Sequence, residues 1–307
     1  MSSYLFAWLA FLGLALGAMA NLMLHTLTGG PWFPAVRAPL EAGTRLVPVA
    51  ALLGLPVIFG MRHLYPITDS GWFDATFFAV RSLIYLALWV LLSLLLSRSR
   101  SKPAQKAWSA VGLILYLFSI SLAAVDWIGS LMPRWYSTGF GLVVGLGQML
   151  GAMALAIAFT GLRERHASPG ARERQRFQDL GNLLLMYVLT WAYLAFMQFL
   201  IIWVGNLPRE ISWYVPRLQT GWVGLAIFLV VFYFFAPLAI LLSRSAKGSP
   251  ALMGGLGLAV LGVYVADTYW LVAPSVRPEG FSIAWSDPLA LAVAAGLWFF
   301  IWKPARA

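Results

Sequence analysis

Long apolar runs separated by short loops that hold most of the charge constrain this chain more than any motif does. Of its 307 residues, 61% are hydrophobic and 10% are charged, where a soluble domain carries roughly 25% charge. A helix crossing the ~30 Å hydrocarbon core takes ~20 apolar residues, so the apolar content fills about nine spans and leaves little for a soluble domain. The expected fold is an all-α integral membrane protein. Punctuation by Pro, Gly and charge places the spans at residues 3–25, 44–61, 75–97, 106–131, 138–162, 179–203, 220–243, 250–272 and 288–302. Spans one to four (1–131) and five to eight (138–272) are expected to form two four-helix bundles, with the last helix (286–307) peripheral.

The basic residues set an expected orientation. Loops on the side shared with the N-terminus hold five of them, Arg62, Arg134, Arg209, Arg217 and Arg277, whereas the opposite side holds fifteen, including Arg98, Arg100, Lys102 and Lys106 and the run from Arg163 to Arg176. The positive-inside rule then puts the N-terminus outside and the C-terminus in the cytoplasm. The same clustering in short loops explains the net charge of +10 without nucleic acid, which needs a basic soluble face. Ala18, Met19 and Ala20 match an A-x-A cleavage pattern, but nothing basic precedes the apolar run, so the first span is expected to be retained.

Composition removes whole classes of chemistry. The chain has no cysteine, and so no thiolate for an iron–sulfur cluster, a zinc site, a disulfide or c-type haem attachment. Its three histidines, His25, His63 and His166, offer no facing pair for haem b. No Walker loop, dinucleotide-binding glycine pattern, HExxH or GxSxG elbow is present. No metal or other cofactor is therefore expected on this chain, and no catalytic constellation stands alone in it. The pairs Gly13 and Gly17, Gly141 and Gly145, and Gly147 and Gly151 have the small-xxx-small spacing that lets helices approach closely in lipid.

Ionisable groups at membrane depth are the stronger signal, because each costs ~2.5–3.5 kcal/mol on insertion scales and normally faces a partner, a cavity or a proton route. Arg81 and Asp126 fall at similar depths below the outer ends of spans three and four. Gln198 and Asp267 fall within the same outer third of spans six and eight. One reading is an ion pair that fixes helix orientation; the other is a proton-carrying network in which burial opposes ionisation of Asp126 or Asp267 and Arg81 favours it. A carboxylate with Gln and Tyr neighbours would also suit a quinol headgroup. Near the inner face, Asn21 and His25 share one helical side, and Asp179 and Asn182 open span six. An inner histidine and an outer carboxylate would form two half-channels, bridged by Gln148, Thr190 or Tyr193. Trp72, Trp127, Trp135, Trp203, Trp213 and Trp270 are expected to be interface anchors.

Two outer loops carry a family resemblance: VDWIGSLMPRWYSTGFG (125–141) and FMQFLIIWVGNLPREISWY (196–214). Both resemble the ActF family of membrane proteins in alternative complex III, the bacterial quinol:cytochrome c oxidoreductase, whose paired membrane subunits are of the NrfD/polysulfide-reductase type. HTLTGGPW (25–32) and EAGTRLVP (41–48) are also similar to that family's early helices, and the resemblance extends over nearly the whole chain. It implies two four-helix bundles plus peripheral helices in the bacterial inner membrane. The implied partners are a sister quinol-binding membrane subunit and periplasmic subunits carrying iron–sulfur clusters and haem c. It also implies a proton route through His25, Arg81, Asp126 and Tyr136, which Asp267 and Gln198 would extend, and outer docking at Trp135, Asn206, Pro208 and Trp213. Met132, Arg134, Arg209 and Ser212 depart from the family's pattern. Oxidation of quinol by this chain itself, or a purely structural scaffold, are the competing expectations.

Overall fold

Helix α1 (Ser2–Thr28) is apolar on every side, and a helix of that kind is stable only when surrounded. It runs through the middle of the molecule, with 89% of its most apolar stretch buried. The computed structural model describes residues 1–67, 71–99, 101–132, 135–166 and 170–304; Arg100, Arg134 and Arg306 of the charge pattern lie outside the described residues.

Around α1 stand α2 (Phe33–Thr44), α3 (Val47–Phe59), α4 (Ala75–Arg98) and α5 (Lys102–Trp127). Next come α6 (Phe140–Arg163), α7 (Ala171–Gly205), α8 (Val223–Leu241), α9 (Pro250–Val276) and the shorter α10 (Ser286–Ile301). Among the described residues, eight helical segments are long and apolar enough to cross a membrane, with Phe33–Phe59 counted as one. The protein is an all-α, multi-pass integral membrane protein.

The second span departs from its expected form. Residues 33–44, read from the sequence as loop, are the amphipathic helix α2. It buries Val36 and Leu40 and presents Arg37, Glu41 and Arg45 as i,i+4 ion pairs on its other side. Pro48, which has no N–H to donate, stands at the start of α3 and explains the break at Arg45 and Leu46. Helix α7 begins two turns before its apolar stretch, where the Glu173 carboxylate accepts from the Gly170 N–H at 2.5 Å.

Helices α1, α3, α4 and α5 pack as one group and α6 to α9 as another, while α6 also lies against α1, α2 and α5. Glycine makes that seam possible: a Cβ on Gly17 would collide with the backbone carbonyl of Gln148, and one on Gly141 would collide with the Ser121 backbone of α5. Helix α10 packs on α1. There Arg277 and Asp287 form an ion pair at 2.6 Å, and Ser3 donates to Asp287 at 2.6 Å, tying the start of α1 to the turn between α9 and α10. The outermost helices, α7 and α8, bury only 22% and 17% of their apolar stretches. Their exposed faces carry residues such as Ile201, Ile227 and Phe235, as expected of surfaces facing lipid.

Candidate functional site

Two buried carboxylates lie in different helix groups. In the first group, α4 begins at its N-cap Asp74, whose side chain accepts from the Phe77 N–H, and Arg81 follows about two turns along the helix. The last turn of α5 brings Asp126 opposite. Arg81 donates through Nε to Asp126 Oδ2 at 3.0 Å and through Nη2 to Oδ1 at 2.9 Å, a two-pronged fork. Trp72 Nε1 donates to Oδ1 at 2.8 Å and Tyr85 Oη to Oδ2 at 3.0 Å. An ionised carboxylate offers about four acceptor positions, and here four donors meet them. The Trp72 ring also lies 4.0 Å from the guanidinium, and its carbonyl accepts from Nη1. Asp126 has no exposed surface. Trp8, Tyr85, Trp89 and Trp127 pack ring against ring beneath the pair.

Asp267 on α9 is as deeply enclosed, with 6% of its surface exposed, yet no hydrogen bond or ion pair reaches its carboxylate among the described residues. Gly147 of α6 faces it: a methyl there would lie 3.6 Å from Asp267 Oδ2 and 3.6 Å from Trp191 Nε1. Both Trp191 Nε1 on α7 and Tyr233 Oη on α8 are buried without acceptors, and their rings lie 4.4 Å apart. Tyr233 is also within electrostatic reach of Asp267. It sits in a π-helical turn, Val230–Phe235. Pro237 accounts for that turn, because a proline inside a helix can neither donate to the carbonyl four residues back, here that of Tyr233, nor pack against it without displacing it. Such turns are frequent at functional sites.

No protein-family model and no curated protein matches this chain.

Of the six residues expected in the proton route, the structure joins only Arg81 and Asp126 directly. The expected single network at one level is absent among the described residues: the side-chain hydrogen bonds of the Arg81–Asp126 pair end on Trp72 and Tyr85, and none of them reaches Gln198 or Asp267. Gln198 instead donates to Tyr214 Oη at 3.5 Å, and burial pushes the Tyr214 hydroxyl, in the loop after α7, up to about 12. Tyr136 is 56% exposed under the Arg209 guanidinium. His25 stacks on Phe33 with ring centroids 3.8 Å apart, at the opposite end of the molecule. Gln148 is buried and accepts from Tyr116 Oη at 2.8 Å. Thr190 and Tyr193 point outward from α7, away from any route through the interior.

The loops at residues 125–141 and 196–214 pack differently from their expected docking role. Trp135 and Trp213 are buried and stack at 4.3 Å, and Trp135 donates to the Glu210 carbonyl. These two rings therefore join the loops rather than face a partner, while Asn206 and Pro208 are exposed. Trp127 is likewise internal. Arg217, counted from the sequence as a loop charge, is fully buried. It donates to the carbonyls of Trp213 and Leu271 and to Ser275 Oγ, with its guanidinium 3.4 Å from the Trp213 ring. Only its place after Trp213 and before an apolar run hinted at this.

Polar side chains also recur along α7, with Asn182 exposed, Tyr187 and Trp191 buried and Gln198 half-buried. Near the basic end, Asn182 Oδ1 accepts from Lys247 Nζ at 2.6 Å. Tyr187 donates to Asn21 Oδ1 at 2.5 Å, and Asn21 donates to the carbonyls of Gly17 and Met149. Trp191 and Gln198 follow at one and three turns beyond Tyr187. From Asn182 to Gln198 the helix rises about 24 Å, most of the ~30 Å hydrocarbon core.

Proposed function

We propose that this chain is a proton-carrying membrane subunit of a bacterial quinol:cytochrome c oxidoreductase, with Asp267 as the group that takes up and releases the proton. The observation that carries the reading is, among the described residues, a buried carboxylate with no counter-ion, beside two buried donors with no acceptors. Burying an isolated carboxylate as an anion is so costly that the group takes a proton instead, and an intramembrane acid of this kind is by default a functional group. In this reading the approach runs from the basic end, which the positive-inside rule makes cytoplasmic, past the buried side chains of Asn21, Tyr187 and Trp191. Gln198 and Tyr214 continue it toward the opposite face, where the N-terminus would be periplasmic. Asp126, saturated by four donors, serves better as the anchor of α4 and α5 than as a carrier.

The assignment to a quinol-oxidising complex rests on the resemblance of the two outer loops, which pack on one another and present Asn206 and Pro208. In this reading the sister membrane subunit binds the quinol, and the periplasmic partners hold the iron–sulfur clusters and haem c.

The test is proton release per electron during quinol oxidation by the membrane-embedded assembly. Asp267→Asn should keep electron transfer and lower the proton count, while His25→Ala should leave both unchanged. Loss of quinone-analogue binding in Asp267→Asn would instead make this chain a quinol site. Unchanged proton counts in that variant would make it a scaffold.

A further inference from the structure

At the end of the molecule opposite Met1, a cavity of about 620 Å³ opens between α1, α2, α4 and α5. Its rim carries Arg37, Arg45, Lys102 and Lys106 against a single carboxylate, Glu41. Glu41 is already engaged, 2.6 Å from Arg37 Nε and 3.9 Å from Arg45 Nη2. Neither lysine has a carboxylate partner among the described residues. Both project from the first turns of a 26-residue helix, whose N-terminal end adds partial positive charge. Four cations around one shared anion make a site that attracts negative charge.

The floor has a different chemistry. Leu22 from the last turns of α1, Phe33 from the start of α2 and Leu96 from the end of α4 supply apolar surface below the basic rim. The lining hydroxyls of Thr26, Thr44 and Ser97 are turned back to carbonyls of their own helices, and Gln105 Nε2 donates to the Ser99 carbonyl. The four cations, with His25 beside them in the lining, are left to bind the ligand. A free phosphate would leave the apolar floor uncovered, whereas a glycerophospholipid would place its phosphate among the cations and its glycerol and first methylenes on Leu22, Phe33 and Leu96. Basic pockets between helices on the cytoplasmic side bind anionic headgroups in this way. From this geometry we infer that the cavity is a binding site for the phosphate of an anionic phospholipid. The site is separate from Asp267, and the inference does not depend on the proton-carrying reading.

The test uses the full chain in detergent, measured by native mass spectrometry with phosphatidylglycerol, cardiolipin or phosphatidylcholine added in turn, and with inorganic phosphate as competitor. Retention of the two anionic lipids over phosphatidylcholine is expected. At roughly 1 kcal/mol per basic residue, the double variant Lys102→Gln/Lys106→Gln should bind them about 30-fold more weakly. Arg174→Gln, on the same face but outside this cavity, should bind as the parent does. Equal retention of phosphatidylcholine, or unaltered binding in the double variant, would overturn the proposal. Displacement by millimolar inorganic phosphate would reassign the cavity to a soluble phosphate. Should the double variant fail to fold, Arg45→Gln, whose side chain is 65% exposed, gives the same reading at about fivefold.

Discussion

Asp126 and Asp267 are the same residue type, both buried in a membrane helix, yet their surroundings differ completely. Asp126 receives a guanidinium fork, an indole N–H and a phenol O–H, whereas Asp267 has neither a charge nor a donor bonded to it among the described residues. Enclosure alone therefore says little about what a buried acid does. A carboxylate whose acceptor positions are all filled holds helices in register. One left bare is stable only by binding a proton, and a proton bound for that reason can be passed on when water or a neighbouring hydroxyl reaches it.

The largest effect should come from breaking the saturated pair. Arg81→Met leaves Asp126 buried without its cation, a change that costs about 3–5 kcal/mol, and the thermal unfolding midpoint in detergent should fall accordingly. The double variant Arg81→Met/Asp126→Leu should recover most of the loss, because apolar side chains of similar size need no partner. If Arg81→Met unfolds at the parent temperature, the pair is not the anchor described here and the contrast with Asp267 collapses.

The next effect concerns the seam between the two helix groups. Gly17→Leu forces a side chain into the Gln148 backbone, and overpacking of this kind costs about 1–3 kcal/mol. Because α1 and α6 serve both groups, this variant should disturb both carboxylate sites together, visible as faster amide exchange around Asp126 and Asp267 alike. Disturbance confined to one side would show that the groups respond independently.

How far the sequence foretells these features follows from what each one depends on. The spans are legible because hydropathy over ~20 residues reports directly on solvent. The Arg81–Asp126 pair is legible because opposite charges at equal depth in adjacent helices have few other uses. Helix α2 escapes notice because its 12 residues include Pro39 and two charges, Arg37 and Glu41, so it reads as a loop until Val36 and Leu40 are seen packed inward. Arg217 escapes because a charge tally treats every loop residue as solvated. The setting of Asp267 is the least legible: Trp191 is one of 15 tryptophans and Tyr233 one of 11 tyrosines, and only three-dimensional packing reveals which of them lack acceptors. Aromatic residues at span ends mislead in the same way, since Trp135 and Trp213 have the composition of an interface belt and the burial of a core.

Asp267→Asn should change stability by no more than about 1 kcal/mol, the range of ordinary substitutions without a broken pair, while lowering the proton count of the assembly. That separates it from Arg81→Met, which acts on stability first. A destabilisation of Asp267→Asn as large as that of Arg81→Met would mean that Asp267 also anchors its helices, and the two carboxylates would then belong to one class.

The effect of Tyr233→Phe is the most discriminating, because its sign is at stake. Tyr233 Oη is buried with no acceptor, and a donor left in that state costs about 1–3 kcal/mol. If the hydroxyl is idle, Tyr233→Phe removes that cost and raises the unfolding midpoint slightly, with no change in proton release. If the hydroxyl instead hands a proton to Asp267 through an intervening water, the same variant loses a hydrogen-bonded link, lowers the midpoint by about 1 kcal/mol and slows proton release without reducing electron transfer. The deuterium isotope effect on proton release separates these cases further, since only a transfer passing through the phenol should lose its isotope sensitivity in the phenylalanine variant. A slower, isotope-insensitive Tyr233→Phe would place the π-turn of α8 in the proton route, and a more stable, fully active one would reduce it to packing around Pro237.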